Sequence, residues 1–84
     1  KHGKAAYAFD EAIQYYLKGD SQKAVQLLND SLKLEPENVK ILSNMGIIAL
    51  KQGKRVESEE HFRRVLEIDP QDPIALNFIN YLDL

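Results

Sequence analysis

Apolar residues recur along the chain at helical spacing, and short polar segments interrupt them. Within residues 21–34 and again within residues 55–68, an apolar side chain returns every three or four positions. This spacing is typical of amphipathic α-helices, because it places the apolar side chains on one face. No segment alternates apolar and polar residues with a period of two, so the sequence predicts no β-strand. The predicted fold class is all-α.

Glycine and proline divide this pattern into separate helices. Gly19 and Gly53 stand where a helix commonly ends in a left-handed residue. Pro36 and Pro70 exclude the helical conformation from the residue before each of them. Five helices are predicted, over residues 5–18, 21–34, 39–52, 55–68 and 73–83.

The chain repeats itself with an offset of 34 residues. The tetrapeptide EPEN at 35–38 returns as DPQD at 69–72, so their prolines stand 34 positions apart. Gly19 and Gly53 share this offset, and so do several apolar pairs. An offset shared by several residue types indicates a duplicated structural unit, here two helices and two turns.

Composition and charge narrow the classes of function. The 84 residues include 11 basic and 13 acidic side chains, which give a net charge of −2 and one small domain. This balance provides no general attraction to nucleic acid. No apolar run approaches the roughly 20 residues that span a membrane. The chain has no cysteine, which excludes disulfides and thiol chemistry but leaves the cellular compartment unknown.

Residues suited to catalysis or metal binding are few. Neither His2 nor His61 has a His or Cys four positions away, the spacing with which a helix holds zinc. Glu57, Glu59 and Glu60 point in different directions around their helix, so we expect a solvated face with the ion pairs Glu59–Arg63 and Glu60–Arg64. We therefore predict no enzymatic activity, no metal and no cofactor.

The 34-residue unit resembles the tetratricopeptide repeat, an antiparallel helix pair with small residues at the helix contact. The first repeat departs from the family pattern at Ala8 and Glu11, where the family has a large residue and Leu. The residues that carry the resemblance are Ala12, Gly19, Ala24, Leu28 and Pro36 in the first repeat, and Gly46, Gly53, Phe62 and Pro70 in the second.

The resemblance implies a single domain over residues 1–84, with helix pairs stacked as a short right-handed solenoid. Its parts are repeat one at 5–38, repeat two at 39–72 and a capping helix at 73–83. We expect Ala75, Ile79 and Leu82 to pack the last helix on repeat two, while Asn80 and Asp83 face solvent. The alternative is that the chain stops within a third repeat.

The resemblance also implies a concave groove that binds a protein partner. Ser43 and Lys51 occupy inward positions of the third helix, and Ile74 and Asn77 occupy inward positions of the last helix. Lys40 with Lys51 favours an acidic segment. One subfamily binds a C-terminal carboxylate with Lys, Asn and Arg side chains at set groove positions. Only Asn44 matches those positions here, so we expect an apolar, aromatic groove. The predicted groove residues are Phe9, Ile13, Tyr16, Lys40, Asn44, Ile47, Phe78 and Tyr81.

The predicted function is a protein–protein interaction module that binds a peptide or amphipathic helix in this groove. We predict no nucleic-acid partner and no membrane insertion. Two alternatives remain open: a self-association module that forms a homodimer, and a segment of a longer tetratricopeptide scaffold.

Overall fold

Five α-helices make up most of the computed structural model, which describes the backbone of residues 4–82 and the side chains of residues 9–81. Each helix begins and ends within one residue of its predicted bounds, and the described residues contain no strand. The all-α prediction is confirmed. The helices are α1 (Lys4–Leu17), α2 (Ser21–Leu34), α3 (Val39–Lys51), α4 (Arg55–Ile68) and α5 (Pro73–Leu82).

The two glycine turns have the same geometry. Gly19 has a φ of +92° and Gly53 a φ of +79°, the left-handed conformation expected of a glycine that ends a helix. In both turns, the N–H of the following residue donates to the carbonyl five residues earlier at 2.9 Å. Each turn therefore closes the end of its helix with backbone hydrogen bonds.

Side chains of three residues cap helices. Asp20, Asn38 and Asp72 each accept a hydrogen bond of 3.1 Å from the N–H three residues later, at the starts of α2, α3 and α5. These bonds satisfy backbone donors that have no partner within the helix. Lys54 precedes α4 and makes no such side-chain bond.

The chain divides into two compact units, Lys1–Ile41 and Leu42–Leu84. In the first unit α1 packs against α2, and the side chains of Ala12, Ala24 and Leu28 are completely buried. The small alanines allow the two helix backbones to approach closely. The right-handed stacking of repeats stays a prediction.

The second unit has an aromatic core. An added Cβ on Gly46 of α3 would lie 2.7 Å from the ring of Phe62 on α4, so only glycine fits this contact. Ser58 Oγ donates to the Gly46 carbonyl at 2.8 Å. The Phe62 ring is completely buried and stacks on Phe78 of α5, with ring centroids 4.7 Å apart and planes 6° apart.

The last helix packs on the second repeat, as expected. α5 contacts α4, and Ala75 and Ile79 of α5 are buried. Asn80 is exposed. The expectations for the Leu82 side chain and for Asp83 lie outside the described residues, as do those for His2 and the Ala8 side chain.

Candidate functional site

An open pocket of about 410 Å³ lies on the surface of the second unit. Leu50, Asn77, Phe78 and Tyr81 line it. Leu50 belongs to the last turns of α3, and the other three lie within one and a half turns of α5. The structure thus brings together three predicted groove residues, Asn77, Phe78 and Tyr81.

Stacking in the core fixes one wall of this pocket. The Phe78 ring is held parallel to the buried Phe62 ring, so it presents an ordered apolar surface. Tyr81 is 64% exposed, and Asn77 lies one turn before it on the same face of α5. The pocket combines apolar area with one amide and one hydroxyl, groups that bind and orient a ligand.

In the first unit, the structure brings another pair of predicted groove residues together. The ammonium group of Lys40 lies 4.9 Å from the centroid of the Phe9 ring, a cation–π contact. Phe9 is half-buried and Lys40 is exposed. Ile13 and Tyr16 are half-buried further along α1. This part of the surface therefore combines aromatic and basic character.

The predicted groove residues of α3 differ in exposure. Asn44 and Ile47 are half-buried. Ser43 is only 5% exposed, so the expectation that it lines a groove is wrong. Its neighbours Leu42 and Met45 are buried too, because packing covers α3 on most sides.

Leu50 is a pocket residue that was not predicted. It lies three positions after Ile47, which was predicted to line the groove, and three positions is one of the spacings that place residues on the same helix face. Helical spacing was thus the signal available for finding it.

Charged groups on α4 interact with one another at the surface. Arg63 Nη2 lies 2.6 Å from Glu59 Oε2, so the predicted Glu59–Arg63 pair is present. Arg64 Nη1 lies 3.0 Å from Glu67 Oε1, and the Glu60–Arg64 pair stays a prediction. Exposed pairs of this kind stabilise a helix by about 0.3–0.5 kcal/mol. Burial lowers the pKa of His61 below its ordinary value of 6.5, while Glu57 and Glu60 oppose the shift.

Within the described part of the chain, no three His, Cys, Asp or Glu side chains are grouped so that they could hold a metal ion. None of the described helices has the length and apolar character needed to cross a membrane.

The fold and the pocket define a class of helical-repeat protein. Paired helices repeat every 34 residues, and an exposed apolar surface lies on one unit. A family model for the tetratricopeptide repeat matches residues 15–79, and the chain belongs to that family. Members of this family are protein-interaction modules, generally without catalytic activity.

Several curated proteins resemble this chain. The BBSome complex member BBS4 of Bos taurus is 32% identical over 74% of this chain and 12% of its own length. The Photosystem I assembly protein Ycf3 of Prochlorococcus marinus is 29% identical over 98% of this chain and 49% of its own. TPR repeat-containing protein PA4667 of Pseudomonas aeruginosa is 30% identical over 86% of this chain and 14% of its own length. The chain spans at most about half the length of these relatives.

Proposed function

We propose that this chain is an interaction module that binds a peptide or an amphipathic helix of a partner protein. The observation that carries the proposal is the open apolar pocket formed by Leu50, Asn77, Phe78 and Tyr81. The names of two relatives, a member of the BBSome complex and a photosystem I assembly protein, favour a role in assembling proteins.

The physical chemistry of the pocket suits the capture of a side chain. Covering exposed apolar area on Leu50 and Tyr81 contributes up to about 1.5–3 kcal/mol for each fully buried side chain. Tyrosine is common among residues that dominate binding energy, because it offers both area and a hydroxyl. The stacked Phe78 ring is already ordered by Phe62, so binding loses little side-chain entropy there.

The remaining predicted groove residues extend the proposal beyond the pocket. In this proposal Phe9, Ile13, Tyr16 and Lys40 also contact the partner, and the Phe9–Lys40 pair offers an aromatic surface beside a positive charge. Asn44 and Ile47 of α3 complete the set of contacting residues.

Self-association is a second candidate, because α5 exposes apolar side chains outside the pocket. Ile74 and Leu76 are both exposed large apolar residues of this helix. Burying them against a second copy would remove apolar surface from water. Light scattering over a wide concentration range tests this candidate: a molar mass that rises with concentration supports it, and a constant monomer mass contradicts it.

A peptide selection tests the main proposal. Random 16-residue peptides displayed on phage are selected on the chain, and the most enriched sequence is made with a tryptophan. The chain has no tryptophan, so tryptophan fluorescence comes from the peptide alone and reports its binding. We expect Tyr81→Ser to weaken binding about tenfold or more, since truncating a central aromatic residue costs at least 1–2 kcal/mol.

Leu34→Ser provides the matched control. Leu34 is 54% exposed, similar to Tyr81, but belongs to α2, which contributes no described residue to the pocket. We expect this variant to bind as the wild type does. Failure to enrich any peptide, or equal binding by the wild type and Tyr81→Ser, would overturn the proposed function.

A further inference from the structure

We propose that the partner segment is acidic as well as apolar, and that its carboxylates contact a basic cluster at the end of α3. We define the basic cluster as Lys51, Lys54 and Arg55. This inference rests on the proposed function, because it adds the charge of the ligand to the same pocket. An apolar side chain of the partner occupies the pocket while neighbouring Asp or Glu residues meet the cluster.

The charge is unevenly distributed along the sequence. Residues 40–56 carry four basic side chains and no acidic one, although the whole chain has a net charge of −2. Three of these four side chains form the basic cluster, and all three residues are exposed. The segment that contributes Leu50 to the pocket is therefore the most consistently positive part of an otherwise acidic chain.

The basic cluster follows the pocket residue Leu50 along the chain, through the glycine turn after α3. Lys51 is adjacent to the pocket residue Leu50 in sequence. The N–H of Gly53 donates to the carbonyl of Leu50 itself at 3.1 Å, and the N–H of Lys54 donates to the carbonyl of Ala49 at 2.9 Å. These bonds connect the turn to the last turn of α3, so the backbone of the cluster lies at the end of the helix that carries Leu50.

The pocket residues of α5 carry no charge. α5 has no charged residue between Pro73 and Leu82, so Asn77 and Tyr81 supply neutral polar groups only. A carboxylate near the pocket meets attraction from the basic cluster and no repulsion from α5. A basic segment would meet like charges there, which disfavours the wrong partner. Charge complementarity thus selects an acidic segment.

The composition of selected peptides tests this inference separately from the proposed function. Among the peptides enriched on the chain, we expect Asp and Glu to outnumber Lys and Arg beside a large apolar residue. We also expect higher NaCl concentrations to weaken binding, because salt screens exposed charges. Neutral or basic peptides that still require Tyr81 would overturn the acidic inference and leave the proposed function intact.

Charge reversal at one position tests the basic cluster directly. We expect Lys51→Glu to weaken binding of the leading acidic peptide about three- to tenfold, because attraction at an exposed pair is replaced by repulsion. Lys33→Glu is the control, since Lys33 also lies in the last turn of its helix, on α2. Lys33→Glu changes the net charge and the charge at a helix end by the same amount as Lys51→Glu does. We expect it to change the affinity for the peptide by no more than about twofold.

Two outcomes contradict the inference. Equal losses for Lys51→Glu and Lys33→Glu would show that only net charge matters, without a contact at the basic cluster. A concentration-dependent dimer that Tyr81→Ser converts to a monomer would show that a second copy of the chain occupies the pocket instead. In that case the occupant is the homodimer partner, and the acidic segment is excluded.

Discussion

Three buried serines differ in the hydrogen bonds of their hydroxyl groups. Ser31 Oγ donates to the carbonyl of Leu27 at 3.0 Å, and Ser58 Oγ donates to that of Gly46 at 2.8 Å. Among the described side chains, Ser43 Oγ is the buried polar atom without a partner. Burial of an unpaired hydroxyl costs about 1–3 kcal/mol, so Ser43 lowers the stability of the fold.

Removing the Ser43 hydroxyl should stabilise the chain. We expect Ser43→Ala to raise the free energy of unfolding by about 1 kcal/mol, because alanine also has the higher helix propensity. Ser58→Ala is the matched control: it has the same propensity gain but loses a hydrogen bond, so its stability should fall or stay unchanged. Urea unfolding measures both, and a less stable Ser43→Ala variant would show that the hydroxyl has a stabilising partner.

His61 should make stability depend on pH. Because burial lowers the pKa of His61 in the folded chain, the unfolded chain binds the proton more readily below about pH 6.5. The contribution of neutral His61 to the free energy of unfolding is fully present above about pH 6.5. It is lost as the pH falls towards the lowered pKa of the folded chain, and it does not change further below that pKa. Urea midpoints at pH 7.5 and 5.5 measure the loss.

His61→Gln isolates this effect, since glutamine does not titrate. We expect its urea midpoint to fall less between pH 7.5 and 5.5 than that of the wild type. If the urea midpoint falls equally in the wild type and in His61→Gln, the pH dependence comes from other groups.

At the scale of the helices, the two repeats fill corresponding helix contacts with different residues. Ala12 and Leu28 in the first repeat correspond, at the 34-residue offset, to Gly46 and Phe62 in the second. Ala12, Leu28 and Phe62 are completely buried, and Gly46 is buried as well. A smaller residue on one helix thus accompanies a larger residue on the next, which keeps the volume of the contact similar.

Gly46→Ala should destabilise the second unit. The new methyl group would lie 2.7 Å from the Phe62 ring, which cannot move freely because it stacks on Phe78. Overpacking of this kind costs about 1–3 kcal/mol, more than the roughly 1 kcal/mol that alanine gains over glycine in a helix. Urea unfolding measures the difference.

The double variant Gly46→Ala/Phe62→Leu reproduces the residue pair of the first repeat. Its stability should exceed the value obtained by adding the two single-variant changes, because leucine makes room for the methyl group. Additive changes would contradict the proposed compensation between the two positions.

The sequence predicts the helices well because their signals are local. Gly19 and Gly53 end helices through their own conformational freedom, and Asp72 caps the next helix through its own side chain. The start of α4 has no such local signal, because Lys54 precedes it without a side-chain cap. The glycine turn before Lys54 determines where this helix begins.

For the whole molecule, the candidate site was only partly predictable. Phe78 and Tyr81 could be placed on one helix face from their spacing, but the pocket also needs Leu50 from a different helix. The order of the Phe78 ring depends on its stack with Phe62, sixteen positions earlier in the sequence. Burial of Ser43 likewise depends on tertiary packing, which helical spacing alone does not determine.

Amide chemical shifts test the central claim most directly. The chain is labelled with 15N and titrated with the most enriched peptide from the selection. The account predicts the largest shift changes at the pocket residues Leu50, Asn77, Phe78 and Tyr81, and at neighbouring residues of the turn after α3. Changes confined to α2 and α4, with the pocket amides unaffected, would contradict the account.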